Sequence, residues 1–460
     1  MSVWNISSAG LAVVSSLCLA VAAAPPAAAE TLGAAVRKAV RSNPNGLAAG
    51  ANARARAGEL KATRGLYRPK VDVFGELGFE NDAANGSSYK PDFTARIGVE
   101  ARYTLYDGLV RANEVYRNAA RLDASLYNAL TAADTVALDA VEAYVDVVRH
   151  RQLLSIAERN IRRHREIRGQ IAAQVAGGAS PISDRYQIDE RLLAARAVRT
   201  EIRKALADAS AKYRRTVGHR PHGTMRIPGV GHLPRSLPAL ERAVLAHNTA
   251  LKRSTKSIHA AEYALEGEKG RLRPKLELKG RFTEGNDPGG IKGRNRDAFV
   301  GLSLSWSIYD GGTSQARRET LHAERDEAEF RRAALRREVV EIAAKAWNSY
   351  TLGRRRAAVL ATQERAAGRI VRNYREEYSL SKRSLLDVLD AERARFNTGF
   401  QRISARAASR FAGYRMLAVQ SRLVSHFGAH PPVPVTRPDY ENRVLGQPGN
   451  VFGVSIEPLR

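Results

Sequence analysis

Residues 93–108 read FTARIGVEARYTLYDG. From Phe93 to Leu105, apolar side chains alternate with polar or small ones, and the run ends in Tyr-Asp-Gly. Successive side chains of a β-strand point to opposite faces, so this stretch predicts a strand with one apolar face and one charged face. Such a strand fits a membrane barrel with lipid outside and water inside, and it also fits a half-buried sheet in a water-soluble protein.

Three further segments alternate in the same way, at residues 71–79, 276–282 and 298–308. Polar stretches rich in Gly and Asn, at residues 81–92 and 284–296, separate the members of each pair, and we expect them to be exterior loops of a membrane barrel. Four strands cannot close a barrel, and an open sheet edge cannot face lipid. Since the smallest membrane barrels have about eight strands, two chains would be the minimum, and three would give about twelve.

The strand pairs belong to an internal repeat. Tyr-Asp-Gly recurs at an offset of 203 residues and Arg-Pro-Lys at an offset of 205, the motifs lying at 106–108 and 309–311 and at 68–70 and 273–275. A nearly constant offset across scattered motifs predicts a tandem duplication, with repeats at residues 31–230 and 236–430. Each repeat is expected to contain a helix, two strands, a very long helix, a tight turn and another long helix.

Long helices are the second strong feature of the chain. Neither Gly nor Pro occurs in residues 109–168 or 313–352. Apolar positions recur at three-four spacing, for example at Val339, Ile342 and Ala346, which is typical of coiled-coil packing. Sixty helical residues would extend about 90 Å, too long for a compact globule. The sequence therefore predicts a rod or a tube.

The N-terminus indicates secretion. Residues 11–24 are almost wholly apolar and Ala27-Ala28-Ala29 precedes Glu30, a pattern that predicts a signal peptide over residues 1–29. The single cysteine, Cys18, lies in this segment, so disulfides and cysteine metal sites are not expected in the mature chain. No later stretch reaches the about 18 apolar residues of a membrane helix. These features leave the periplasm, the exterior or an outer-membrane β-barrel.

The charge of the chain has two interpretations. Lys and Arg number 74 against 47 Asp and Glu, a net charge of +27. A basic helical rod that binds nucleic acid would explain this excess, and so would Arg-rich solvated faces on long helices. A soluble periplasmic coiled-coil adaptor is a further alternative. The nucleic-acid hypothesis leaves the signal peptide and the four strands unexplained.

Residues 378–391, YSLSKRSLLDVLDA, resemble the turn and helix start of the TolC family of outer-membrane channels, Tyr-x-x-Gly-x-x-Ser-x-x-Asp-Val-Leu-Asp-Ala. The duplicated order of elements extends the resemblance over residues 31–430. It implies a mixed α and β membrane protein: a homotrimer whose chains each give four strands to a twelve-stranded outer-membrane barrel, continued by an α-helical barrel across the periplasm. Serine at position 381 replaces the family's glycine and makes the turn geometry an open question.

The resemblance also implies a function. Such chains are exit ducts in the outer membrane that dock with a periplasmic adaptor and an inner-membrane transporter, for type I protein secretion or multidrug efflux. The missing lipidation cysteine favours protein secretion. No catalytic or metal motif stands out, so we expect no enzyme activity, no cofactor, no metal and no nucleic-acid partner. The Pro-containing tail, residues 431–460, is expected to be extended or disordered.

The resemblance finally implies site residues. In that family, contacts between the helix-turn tips hold the periplasmic end shut, and by position the gate residues are Ser183, Asp184, Tyr378 and Arg383. An Arg383–Asp184 pair would close the gate. The family's carboxylate ring at the constriction falls on Asp387 and Asp390, and it would favour cations. Helix capping and the helix dipole explain the same acidic residues without any gate.

Overall fold

The computed structural model describes residues 29–80, 92–286, 293–431 and 438–445. The predicted signal peptide lies outside these ranges except for Ala29, and so does the predicted loop at residues 81–92 except for Asp92, which begins a strand. Within these ranges the chain forms ten helices and one four-stranded sheet. None of these helices is both long and apolar enough to cross a membrane.

Six elements occur in the same order in the two halves of the chain. The first half contains α1 (Leu32–Ser42), α2 (Pro44–Gly65), β1 (Lys70–Glu80), β2 (Asp92–Tyr106), α3 (Val110–Ala176) and α4 (Ile182–Val217). The second half contains α5 (Leu237–His247), α6 (Thr249–Gly270), β3 (Lys275–Asn286), β4 (Arg294–Ser305), α7 (Thr313–Ser379) and α8 (Leu385–Val419). Two short helices follow, α9 (Leu423–His426) and α10 (Tyr440–Leu445).

Each half starts with two helices, whereas the sequence predicts one. Asn43 and Asn248 have extended backbones, and each ends one helix and caps the next with its side chain. A single extended residue is enough to change the helix direction. Pro44 after Asn43 is a sequence signal for the first break, since a residue before proline is disfavoured in the α conformation, whereas Thr249 after Asn248 gives no such signal.

The two longest helices extend beyond the stretches without Gly. Helices α3 and α7 are each 67 residues long, or about 100 Å. They continue through Gly169 and through Gly353 and Gly368. A glycine costs a helix about 1 kcal/mol but keeps its main-chain hydrogen bonds. Packing of α3 against α4, and of α7 against α8, outweighs that cost.

The Tyr-Asp-Gly motif forms the corner between strand and long helix. The Asp107 carboxylate accepts the Arg111 main-chain N–H at 3.1 Å, and Asp310 accepts that of Ser314 at 2.9 Å. These carboxylates therefore satisfy N–H groups that the first turn of α3 or α7 would leave unpaired. Gly108 has a φ of +71°, and a Cβ there would lie 2.2 Å from a main-chain oxygen at the end of α6, so only glycine fits.

The sheet is antiparallel with the strand order β1-β2-β3-β4. Its register brings apolar residues together on one face, with Val71 opposite Ala101, Val99 opposite Phe282 and Leu278 opposite Leu302. In the single chain this apolar face is exposed: Val300 is 81% exposed and Leu304 is 68% exposed. No second layer covers it within the described ranges. Within the described part of one chain, the sheet is therefore not half-buried against a second layer.

Strands β3 and β4 differ from the prediction at both ends. Glu284 and Arg296 pair in register, so part of the predicted exterior loop is strand, and the loop between β3 and β4 is shorter than expected. Carboxylate–guanidinium pairs from Glu284 to Arg294 and Arg296 make this polar strand end favourable. At its other end β4 stops at Ser305, which pairs with Lys275, the first residue of β3. Beyond this pair, Trp306 donates its indole N–H to the Leu272 carbonyl at 2.9 Å.

The core lies around the middle of α3, which packs against α1, α4 and α8. Three fully buried tyrosines, Tyr144, Tyr213 and Tyr414, provide its largest side chains. The Tyr144 hydroxyl donates to the Glu30 carbonyl at 2.7 Å, so the segment before α1 is tied to the centre of the molecule.

The tail is not wholly extended, and this part of the prediction is wrong. Helix α10 packs on α3, where both Asp123 carboxylate oxygens accept main-chain N–H groups, from Tyr440 at 2.8 Å and from Glu441 at 3.1 Å. The Glu441 carboxylate in turn accepts from Lys256 and from Tyr263, each at 2.9 Å. Residues 432–437 and 446–460 of the predicted tail lie outside the described residues.

Candidate functional site at the helix tips

Two tight turns form the tips of the long helices. Between α3 and α4, the Ala179 N–H donates to the Gln174 carbonyl at 2.8 Å and Gly178 has a φ of +73°. Between α7 and α8, the Lys382 N–H donates to the Glu377 carbonyl at 2.8 Å, and Ser381 has a φ of +57°. Both turns are Schellman motifs with a left-handed residue. Ser381 therefore adopts the left-handed conformation that Gly178 has in the first turn.

A small apolar cluster joins the two tips. It consists of Ile167, Ile171, Ile188, Leu385 and Leu389, with Val175 and Tyr378 packed against it. The cluster draws residues from α3, α4, α7 and α8, so the hairpins of the two repeats lie side by side. The polar side chains discussed next surround this cluster.

Tyr378 connects the tips by a hydrogen bond that the sequence analysis missed. Its hydroxyl donates to the Gln174 side-chain oxygen at 3.0 Å, and the Ser180 hydroxyl donates to the same oxygen at 3.3 Å. Burial raises the pKa of Tyr378, the contact with Ser180 opposes this, and the charge of Asp184 adds to it. Tyr378 thus lies within electrostatic reach of Asp184, but its hydrogen-bond partner is Gln174.

Arg383 is held on its own hairpin. Its guanidinium donates to Glu377 at 2.8–2.9 Å and lies over the Tyr374 ring, 4.2 Å from the centroid. No hydrogen bond or ion pair joins Arg383 to Asp184 in the described part of the chain. A single chain therefore does not form the predicted pair, and the pair stays a prediction for contacts between chains.

Ser183 and Asp184 lie in the first turn of α4. Ser183 is exposed and Asp184 half-buried, and the helix begins after Pro181 without a side-chain cap. Capping by these side chains, the simpler explanation, is therefore not realised. Among the described residues the Asp184 carboxylate has no ion-pair partner, although its place in the first turn suits the helix dipole.

The constriction candidates differ from each other. The Asp387 carboxylate accepts a hydrogen bond from the Ser384 hydroxyl at 2.8 Å, and the Asp387 main-chain N–H donates to the Ser384 hydroxyl oxygen at 3.2 Å. Asp387 therefore takes part in capping α8. Asp390 is exposed and lies 3.5 Å from the Arg191 guanidinium of α4. The capping interpretation thus accounts for Asp387 and leaves Asp390 unexplained.

A buried ion pair lies beside these residues. Glu392 is only 6% exposed and pairs with Arg375 of α7, while Arg163 of α3 lies 3.8 Å from it. Burial lowers the pKa of Arg375, and the nearby Glu392 charge opposes that effect. Nothing in the sequence indicates this pair, because no spacing rule connects Arg375 with a glutamate across the hairpin turn.

One cluster in the described residues has metal-binding side chains, Glu30 with His219 and His222, and it lies at the opposite end of α4 from the tips.

Comparisons with known proteins agree with this architecture. The family model described as "Outer membrane efflux protein" matches residues 240–410. The outer membrane efflux protein BepC of Brucella suis biovar 1 is 23% identical over 402 residues, which are 87% of each chain. The CmeC outer membrane channel of Campylobacter jejuni matches with a TM-score of 0.75 at 14% identity, over 85% of this chain and 86% of that chain. The open state of the MtrE outer membrane channel of Neisseria gonorrhoeae matches with a TM-score of 0.73 at 16% identity, over 85% and 89%.

Sheet, long helices and tips thus have the architecture of a TolC-like outer-membrane channel. The resemblance is confirmed: the chain has the fold of these channels, and the outer membrane efflux protein model matches residues 240–410 of its second half. The predicted localisation in the outer membrane, extending into the periplasm, and the role as an exit duct are confirmed as well. Fold and family are those of channel proteins, and the nucleic-acid and adaptor alternatives find no support in them.

Proposed function

We propose that three copies of this chain close a twelve-stranded barrel and form the passive outer-membrane duct of a tripartite export system. A periplasmic adaptor and an inner-membrane transporter would complete that system. The exposed apolar face of the sheet is the observation that carries the proposal. Leaving Val300, Leu302 and Leu304 in water would cost several kcal/mol, at roughly 25 cal/mol per Å² of apolar surface. Lipid removes that cost.

Aromatic residues at both ends of the sheet support a membrane position. Phe79 and Phe93 pack edge to face at 5.7 Å near the loop between β1 and β2. Trp306 and Tyr309 are exposed at the other end, where the sheet meets the helices. Aromatic girdles at both interfaces are typical of outer-membrane barrels.

The edges of the sheet support assembly. Strands β1 and β4 each have one side without a strand partner in the described ranges. Such edges must be paired in lipid, since unpaired main-chain groups there cost several kcal/mol each. Pairing β4 of one copy with β1 of the next satisfies both edges, and three copies give a barrel within the natural size range.

The gate is proposed for the same assembly. Among the described residues Asp184 has no ion-pair partner, and Arg383 pairs with Glu377 of its own hairpin, so an Arg383–Asp184 pair would form between adjacent copies and close the duct. Tyr378 would hold the two hairpins of one copy together through Gln174. The carboxylates of Asp387 and Asp390 would form the constriction ring. That MtrE, with the same fold, was solved in an open state supports a duct that opens and closes.

A matched pair of substitutions on one strand tests the proposal. Val300→Arg puts a charge on the apolar face near the middle of β4, where it costs about 2–4 kcal/mol in lipid. Ser303→Arg changes the opposite face, which would line the water-filled interior. We expect wild type and Ser303→Arg to assemble in the outer membrane and to show a trimer mass by native mass spectrometry in detergent, and Val300→Arg to fail. A water-soluble monomer, or equal assembly of both variants, would contradict the proposal.

A further inference from the structure

The segment before α1 and the connection between the two repeats meet at a small cluster of Glu30, His219 and His222. His219 Nε2 lies 3.5 Å from Glu30 Oε1, and His222 Nδ1 lies 3.5 Å from Glu30 Oε2. The centroids of the two imidazole rings are 5.2 Å apart. Three side chains that commonly ligate metals therefore point to one place, although their positions are about 190 residues apart in sequence.

Glu30 is a buried carboxylate held in a fixed orientation. Its side chain is 4% exposed, and the Tyr213 hydroxyl and the His222 main-chain N–H, the latter at 3.3 Å, donate to its two oxygens. No Lys or Arg forms an ion pair with it in the described residues. Since an uncompensated buried carboxylate costs several kcal/mol, the site calls for a positive charge between Glu30 and the two imidazoles.

The His219 ring is oriented as a metal ligand would be. Its Nδ1–H donates to the Arg220 carbonyl at 3.0 Å, and its Nε2 is directed at Glu30. His222 Nδ1 lies 3.4 Å from the same carbonyl, and binding of an ion through this nitrogen would replace that longer contact. A main-chain carbonyl on the far ring nitrogen is the usual support of a metal-binding histidine. With metal–ligand bonds of about 2.0–2.1 Å, ligand atoms of a tetrahedral zinc site lie about 3.3–3.4 Å apart. Each histidine nitrogen lies 3.5 Å from its own Glu30 oxygen, close to this spacing, and the ligand atoms of all three side chains lie within 4.8 Å of one another.

The loop that carries His222 is braced and open to solvent. The Arg151 guanidinium donates to the Gly223 carbonyl at 2.9 Å and to the Pro221 carbonyl at 3.3 Å, so it holds this loop in place. The His222 side chain is 56% exposed, which provides access from solvent and a place for a water ligand.

We propose that Glu30, His219 and His222 bind one divalent transition metal of the Zn²⁺ class, with water as the fourth ligand. Two imidazoles and a carboxylate suit such ions better than Mg²⁺ or Ca²⁺, which prefer all-oxygen sites. The metal joins the residues before α1 to the connection between the repeats. If cleavage follows Ala29 as the sequence predicts, Glu30 is the first residue of the mature chain, and the ion fastens its N-terminus.

The test uses the full mature protein in detergent, without a polyhistidine tag and stripped with EDTA. Calorimetric titration with Zn²⁺ alone should show one ion per chain, and Co²⁺ should give the visible absorption of a tetrahedral site. Three single variants are compared, Glu30→Gln, which keeps an acceptor for Tyr213, His219→Ala and His222→Ala. Each should weaken Zn²⁺ binding by about 100-fold, since even outer-shell changes cost about 10–100-fold. His322→Ala, an exposed histidine on α7, should bind as wild type does.

Several results would overturn the proposal. If the wild type shows no saturable Zn²⁺ binding, the site does not bind metal, and protonated imidazoles alone balance the charge of Glu30. If Zn²⁺ binding survives Glu30→Gln and His222→Ala, these side chains are not the ligands. Should an alanine variant fail to fold, His222→Cys replaces it. A cysteine ligand must add a thiolate-to-Co²⁺ charge-transfer band, and a folded His222→Cys protein without that band would equally reject the site.

Discussion

Asn248 donates its side-chain amide to the Val419 carbonyl at 2.9 Å, which ties the break between α5 and α6 to the end of α8. Asn43 does the same one repeat earlier, with the Thr216 carbonyl at the end of α4 as its acceptor at 3.1 Å. In both repeats the side-chain oxygen of the same asparagine caps the following helix, at 3.0 Å from Asn45 N and 3.1 Å from Leu251 N. One asparagine in each repeat therefore connects the break between the first two helices of that repeat to the end of its last long helix.

Replacing this amide by a carboxylate tests its role. Asn248→Asp keeps the capping oxygen but loses the donor and places a charge against the Val419 carbonyl. Because Asn248 is buried, we expect the free energy of unfolding to fall by about 1–3 kcal/mol. Asn43→Asp is the matched control, and its half-buried position should give a smaller loss. Thermal unfolding of both variants in detergent measures the difference, and equal losses would argue against burial as the cause.

Asp134 should make stability depend on pH. Burial raises the pKa of its carboxyl from 3.8 to about 6, although the N–H groups of Val424 and Leu423 oppose this. The folded state therefore binds the proton more tightly than the unfolded state. Proton binding by Asp134 therefore adds to the free energy of unfolding. This addition is full below about pH 4 and is lost as the pH rises through about 6, a change of about 3 kcal/mol. Unfolding of wild type and Asp134→Asn from pH 4 to 7.5 should show the wild type losing stability relative to the variant.

Sequence reasoning succeeded where one physical pattern has one structural outcome. Strict alternation located all four strands, and the repeated Asp-Gly located the corners where Asp107 and Asp310 cap the long helices. It failed where a contact joins distant parts of the chain. Gln174 carries no pattern that points to Tyr378, and Asp123 gives no sign that it caps α10. Local composition describes a segment, whereas these contacts depend on how two segments are brought together.

The left-handed serine in the second tip should cost stability. Ser381 has a φ of +57°, and an L-residue in this conformation costs about 1–2 kcal/mol, while Gly178 occupies the matching position of the first tip. Ser381→Gly should therefore raise the free energy of unfolding by about 1 kcal/mol, and Gly178→Ser should lower it by a similar amount. Thermal unfolding of the two reciprocal variants measures both changes. Changes of the same sign would refute the argument.

The gate predicts opposite effects from two groups of substitutions. Asp184→Ala with Arg383→Ala removes the pair between copies, so single-channel conductance in planar bilayers should rise. Glu377→Gln releases Arg383 from its own hairpin and makes it available to Asp184, so conductance should fall or stay at the closed level. Gln174→Ala removes the acceptor of Tyr378 and should loosen the tip within each copy. Unchanged conductance in the double variant would remove the gate assignment and leave the fold intact.

The carboxylate ring predicts a graded effect on ion selectivity. Asp390 lies 3.5 Å from Arg191, so part of its charge is balanced. Asp387 accepts from the neutral Ser384 hydroxyl and forms no ion pair within the described residues, although the more distant charge of Arg383 acts on it. Asp387→Asn should therefore reduce cation selectivity more than Asp390→Asn does, and Arg191→Gln should increase it by unmasking Asp390. Asparagine still accepts from Ser384, which separates the loss of charge from the loss of the helix cap. Reversal potentials in a KCl gradient measure all three variants. If none of them shifts the reversal potential, Asp387 serves as a cap alone and the constriction lies elsewhere along the duct.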